Sequence, residues 1–334
     1  MMTRLIAVFL FLYIFTSQAL AQDRQLTEAA KKEGGKVVVY GTLEEQPAAE
    51  VQKASERRTG IVLEYWRASA TKVLDRSLTE YRAGKSMFDV VIGPPDAMRI
   101  MRKEGIFAKY DSPSAKDFSK DAIDPEMGPS YRNFIIGILY NKSVIKPADA
   151  PTSLEDLVKP QYRGKLVMPD PTQHTTTIQW LANLHKVIRK EKVDKYIRDL
   201  ASAKPMLVES FVPAAERVVT GERPIGISFV KYVYLLGKEG AALDYVRLGK
   251  MLGDGHHIAL SNKAPHASAG KVFIDFFLGE ESMRIMAEMG EFVNRKGIYP
   301  PIPEAEKIQF VQMDQLDKEG YSNKKKEYRT IFFQ

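Results

Sequence analysis

The chain has no cysteine at any of its 334 positions. That absence excludes disulfides, thiolate metal sites, cysteine nucleophiles and a lipid anchored at a lipobox cysteine. Histidine is scarce, at 5 residues, and tryptophan scarcer, at 2. No glycine-rich phosphate loop, serine nucleophile elbow or H-E-x-x-H run occurs, so the familiar nucleotide, acyl-transfer and metallopeptidase signatures are missing. The formal charge is only +7, and basic residues alternate with acidic ones, as in Lys186, Arg189, Lys190, Glu191, Lys192 and Asp194. Nucleic-acid binding calls for basic residues clustered with exposed aromatics, so no nucleic-acid partner is expected. The one basic run, Lys324 to Lys326, reads as a solvated helix face.

Long apolar runs are also few. The longest spans 5–15, follows the positive charge of Arg4, and precedes Ala19-Leu20-Ala21. This order of charge, apolar stretch and small-x-small site is that of an export signal, with residues 1–21 removed and Gln22 starting the mature chain. The run falls short of the roughly 20 residues that a membrane-spanning helix needs. A periplasmic location is therefore expected.

Strand and helix patterns alternate along the rest of the chain. Residues 36–40 (KVVVY) form a short β-branched run, suited to a buried strand. A helical segment over 47–58 stops at Thr59-Gly60, where glycine is the expected terminator. A strand follows at 61–65, a helix at 70–82 with Val73, Leu74, Leu78 and Tyr81 on one face, and a strand at 88–92. Such a βαβαβ beginning predicts a parallel sheet covered by helices on both sides. Further strands are expected at 134–140, 165–168, 206–208, 225–228 and 256–260, and helices at 175–187, 193–203, 264–278 and 282–289.

The stretch 141–171, NKSVIKPADAPTSLEDLVKPQYRGKLVMPDP, is the most specific passage. A proline-punctuated turn, a short acidic helix and Gly164 deliver the chain into a strand that stops at Pro169-Asp170-Pro171, before the hydroxyl-rich residues 172–177. Taken whole, it resembles the extracellular solute-binding proteins of ABC importers, in the branch that includes the ferric-iron-binding proteins. GISFVKYVYLLGKEGAALDYV and SNKAPHASAGKVFIDFFLGEESMRIMAEMG continue the resemblance in order and spacing. The resemblance implies an α/β fold of the periplasmic binding protein type II, with two lobes, a hinge and an interlobe ligand cleft. It assigns 22–133 with 256–300 to lobe one, and 134–255 with 301–334 to lobe two. It further implies a monomeric, non-enzymatic carrier that hands a solute to an inner-membrane permease, which works with a cytoplasmic ATPase.

Ligands of open α/β sheets lie beyond the carboxyl ends of the strands, which singles out several loops. Thr42 follows the first strand beside Gly41, and its hydroxyl and N–H suit an anion. Trp66, Arg67 and Ser69 follow the second; Arg67 offers a bidentate contact to a carboxylate or phosphonate, and Ser69 also caps the next helix. Asp96 reads as a cap. His174, Thr175 and Thr176 begin a helix whose free N–H groups favour an anion. Lys231 and Tyr232 stand where iron-binding relatives carry adjacent tyrosines. Here Val233 separates Tyr232 from Tyr234, and residues two apart on a helix point about 200° apart. With Lys231 alongside, this favours a small anionic organic solute such as a phosphonate, phosphate ester or carboxylate over ferric iron, the alternative cargo. No cofactor and no metal site are expected, since the adjacent His256 and His257 point to opposite faces of a strand. The different-class alternative is a periplasmic hydrolase using Glu44 and His174.

Overall fold

The computed structural model describes residues 24–124 and 127–333; the export signal at 1–21 and Gln22 lie outside the described residues. The chain divides into two compact units. Unit 1 comprises the chain up to Tyr131 with His256–Ile285 and Asn294–Gly297, and unit 2 comprises Arg132–Gly255, Met286–Val293 and the chain from Ile298 onward.

In chain order the strands are β1 (Lys36–Gly41), β2 (Val62–Arg67), β3 (Val90–Gly93), β4 (Ile123–Asp124), β5 (Gly128–Asn141) and β6 (Leu166–Pro169). They continue with β7 (Met206–Val208), β8 (Ile225–Phe229), β9 (Leu243–Tyr245), β10 (Lys250–Leu260), β11 (Phe292–Val293) and β12 (Gln309–Gln312). The helices are α1 (24–32), α2 (Glu45–Thr59), α3 (Ala70–Arg82), α4 (Pro95–Lys103), α5 (Thr175–Ala182) and α6 (Lys190–Ser202). After them come α7 (Phe211–Val219), α8 (Tyr232–Gly237), α9 (Ala267–Phe277), α10 (Glu280–Glu288) and α11 (Lys318–Phe332). Among the described residues no helix is long and apolar enough to cross a membrane.

In unit 1 the sheet order is β2-β1-β3-β10, with β1, β2 and β3 parallel and β10 antiparallel to β3. The parallel pairs follow from α2 and α3, which return the chain to the same edge before each new strand. Helix α2 stops where Gly60 adopts φ 69 and its N–H closes onto the Glu56 carbonyl, a left-handed geometry that glycine takes without a Cβ clash. Tyr40, Val73, Phe88, Val91, Met98 and Met101 pack into the core. The fully buried Asp89 accepts from the N–H of Val38 at 2.8 Å and of His266 at 2.7 Å, tying β3 to its neighbours.

In unit 2 the order is β7-β6-β8-β5; β6, β7 and β8 are parallel and β5 runs antiparallel to β8. The core gathers Ile136, Ile138, Leu157, Leu166, Met168, Trp180, Leu181 and Leu200 around these strands. Helix α11 covers α5 and α6 through the buried Tyr328, while Lys325 and Lys326 stay exposed. The expected segments 134–140 and 256–260 are parts of the longer strands β5 and β10. The helix expected over 175–187 ends at Ala182. Asn183 stops it: its amide donates to the carbonyls of Gln179 at 2.9 Å and Asp314 at 3.1 Å, fastening the helix end to a distant segment.

Candidate functional site

In unit 1, β2 runs two residues past its expected end, so Trp66 and Arg67 sit in the strand rather than in a loop, opposite Tyr40 and Gly41. The alternation of a strand then separates them. Trp66 turns inward, edge-on to Tyr40 with ring centroids 4.8 Å apart, and the Arg76 guanidinium lies 4.4 Å from its ring. Its ring is half-buried, with Tyr40 and Arg76 as its neighbours inside the unit. Arg67 is exposed, and no carboxylate pairs with it among the described residues. Ser69 caps α3, its Oγ accepting from the Lys72 N–H at 3.4 Å. Asp96 accepts from the Ala97 N–H at 2.8 Å in the first turn of α4.

Thr42 is only partly available. Its N–H donates to the Ile92 carbonyl at 3.1 Å, so the sheet has taken the group expected to meet an anion. Its Oγ1 is buried with no hydrogen-bond partner among the described residues. Gly41 is needed for the approach of the protein's own Tyr65: a Cβ there would lie 2.8 Å from the Tyr65 hydroxyl oxygen.

In unit 2, the sharp turn after β6 is held by Asp170, whose carboxylate accepts from the Thr172 N–H and hydroxyl, both at 2.7 Å. His174 then caps α5, its Nδ1 accepting from the Thr177 N–H at 3.3 Å and lying 2.9 Å from the Thr177 hydroxyl. That role fixes Nδ1 without a proton toward the backbone, and burial lowers the pKa of the ring. The three threonines therefore divide: Thr177 is buried against the cap, whereas Thr175 is exposed and Thr176 half-buried. No backbone carbonyl accepts from the Thr175 and Thr176 N–H groups among the described residues, as expected of a first helical turn.

Lys231 departs most from expectation. It is 7% exposed, and its Nζ donates to Glu291 Oε1 at 2.9 Å; Arg132, 0% exposed, approaches Glu291 Oε2 at 3.1 Å. The charge read from the sequence as facing a solute is thus committed to a buried carboxylate 60 residues away. Tyr232 and Tyr234 diverge on α8. Tyr232 packs 6.1 Å from the Phe229 ring, whereas the Tyr234 hydroxyl donates to the Glu288 carbonyl at 2.9 Å. Among the described residues no three histidine, aspartate or glutamate side chains converge as metal ligands.

Sequence reasoning passed over Arg132, Glu291, Phe134, Phe211 and Phe229, which gather around Lys231 and His174. It also passed over an amide ring about Asp254, whose carboxylate accepts from Gln179 at 3.3 Å, Gln312 at 3.0 Å and Gln315 at 2.9 Å.

A family model described as bacterial extracellular solute-binding protein matches residues 85–244. A "Probable ABC transporter periplasmic-binding protein", y4fP of Sinorhizobium fredii, is 32% identical over 111 residues, which are 33% of this chain and 30% of that protein. The matched part thus spans about a third of that relative's length. Iron-bound HitA from Pseudomonas aeruginosa is similar in structure, with TM-score 0.70 at 18% identity over 89% of this chain and 99% of that one. The periplasmic binding protein AfuA from Actinobacillus pleuropneumoniae, with fructose-6-phosphate bound, gives TM-score 0.65 at 19% identity over 88% of this chain and 96% of that one. At these identities the likeness establishes the α/β fold of the type II periplasmic binding proteins. The motif-rich stretch and these matches make the chain similar to bacterial extracellular solute-binding proteins over residues 85–244, on the α/β fold of the type II periplasmic binding proteins.

Proposed function

We propose that the protein is the periplasmic solute-binding component of an ABC importer and that its cargo is a small anionic organic molecule, a phosphonate, phosphate ester or carboxylate. It captures the solute with hinge closure, driven by tighter binding to the closed form, and delivers it unchanged to an inner-membrane permease. The monomeric state and lobe assignment given above belong to this proposal. The observation that carries the anionic reading is Arg67, an exposed guanidinium at the carboxyl end of β2 with no carboxylate against it among the described residues. The unbonded N–H groups of Thr175 and Thr176 support the same reading from unit 2. AfuA, with a sugar phosphate bound, lends it analogy. Iron is disfavoured by the divergence of Tyr232 and Tyr234, and a Glu44/His174 hydrolase by the use of His174 Nδ1 as a cap.

Native mass spectrometry of protein taken from its own periplasm identifies the bound solute, and calorimetry then compares wild type with Arg67→Ala. Loss of one charge-assisted contact costs about 1.5–3 kcal/mol, or roughly ten- to a hundredfold in affinity. A neutral or cationic solute, or unchanged affinity in Arg67→Ala, counts against the proposal.

A further inference from the structure

We propose that α11 of unit 2 holds a separate ligand site, a pocket for a phosphate monoester built on Lys325 and Arg329. The site calls on none of the residues that carry the cargo reading above and stands apart from it. The pocket measures about 390 Å³ and is lined by Lys325, Arg329 and Phe333 from the end of the chain and by Thr172 and Gln173 from the turn between β6 and α5. That volume lies within the range of small-molecule sites. Lys325, Arg329 and Phe333 recur at every fourth position along α11 and its C-cap, so they share one stripe. Tyr328, 0% exposed, anchors the helix against α5 and α6 and holds that stripe in place.

Charge decides what this pocket accepts. Neither the Lys325 ammonium nor the Arg329 guanidinium pairs with a carboxylate among the described residues, whereas Lys324 beside them pairs with Glu327 at 2.8 Å. Like charges on successive helical turns repel each other, and a bound anion relieves that repulsion. The Asp170 carboxylate, on a residue 8% exposed, is turned onto its own loop. It accepts from the Thr172 N–H and hydroxyl, both at 2.7 Å, and from Gln173 Nε2 at 3.0 Å. These bonds fix the loop, and the other Nε2–H of Gln173 has no acceptor among the described residues. It is available as a further donor. A carboxylate would balance one of the two cations. A phosphate monoester, with a charge of about −1.5 to −2 and three acceptor oxygens, balances both. Phe333, 59% exposed, gives the pocket an apolar wall for the ester group, which inorganic phosphate leaves uncovered.

The test uses the mature full-length protein with phenyl phosphate, inorganic phosphate and benzoate as probes, followed by calorimetry and ³¹P NMR. Phenyl phosphate should bind best of the three. Lys325→Gln and Arg329→Gln should each weaken it roughly ten- to a hundredfold with the apo Tm unchanged, and Phe333→Ala should bring it to the level of inorganic phosphate. Arg67→Ala should keep this binding event. Vesicles containing phosphatidic acid, whose headgroup is also a phosphate monoester, separate a membrane source from a soluble one. Co-sedimentation that both charge variants abolish supports the site with the lipid as its source; binding of phenyl phosphate without co-sedimentation supports it with a soluble ester. Phosphate binding that is lost in Arg67→Ala and indifferent to Lys325→Gln and Arg329→Gln overturns the pocket and leaves the anionic cargo reading standing. Binding of no phosphate probe, soluble or vesicular, overturns it too, and equal affinity for benzoate and phenyl phosphate overturns the choice of a monoester.

Discussion

Glu291 offers the sharpest test of how charge is arranged in unit 2. It is 3% exposed and faces two cations, Lys231 at 2.9 Å and Arg132 at 3.1 Å. Glu291→Gln keeps the shape but strips the counter-charge from both. Removing one partner of a buried ion pair typically costs about 3–5 kcal/mol, because the remaining charge is left uncompensated in a medium that solvates it poorly. For a chain of this size each kcal/mol moves Tm by about 2–4 °C, so the apo protein should melt roughly 6–20 °C lower. Lys231→Met should do less, since it removes a buried cation and leaves Arg132 opposite Glu291. Urea titration and calorimetry of the apo forms at pH 7 give the ranking directly. The reasoning fails if Glu291→Gln stays within about 0.5 kcal/mol of wild type, or if Lys231→Met weakens solute binding with no loss of apo stability. The second outcome would return Lys231 to the ligand.

Two further outcomes follow from unit 1 and unit 2 separately. His257 is buried, with Nδ1 donating to the Gly128 carbonyl at 3.2 Å, and burial brings its pKa down from 6.5 to about 4. The neutral ring is favoured in the folded state, so its stabilisation is complete above pH 6.5 and is lost as pH falls through 4. That amounts to about 3 kcal/mol at 1.36 kcal/mol per unit. NMR should find its midpoint near 4, and His257→Gln should flatten the stability curve between those limits; a midpoint near 6.5 refutes the account. In unit 2, a Cβ on Gly253 would collide with the Phe134 carbonyl oxygen. Gly253→Ala should therefore destabilise the apo protein by roughly 1–3 kcal/mol, and a neutral result in urea denaturation would contradict that close approach.

Local pattern and tertiary arrangement divide cleanly here. The β-branched run at 36–40, the glycine stop at Gly60 and the apolar face of 70–82 each specify an element through nearest neighbours, and β1, α2 and α3 appear where those signals put them. The Ser69 cap was legible for the same reason, since donor and acceptor lie three residues apart. Strand ends were less so. Trp66 and Arg67 extend β2 because Tyr40 and Gly41 stand opposite them, and periodicity in one strand does not reveal the length of its partner. The site suffered most from this limit. The sequence could place Lys231 beside Tyr232, but not bring Glu291 and Arg132 to it. It could place Phe229 at a strand end, but not gather Phe134, Phe211 and His174 around it. By itself the sequence located many of the elements, the α/β class and the resemblance to a family, because these rest on local spacing and motif order. Only the tertiary structure decided which charges are spent internally and which rings share an edge, because those depend on segments far apart in the chain whose pairing is set by packing.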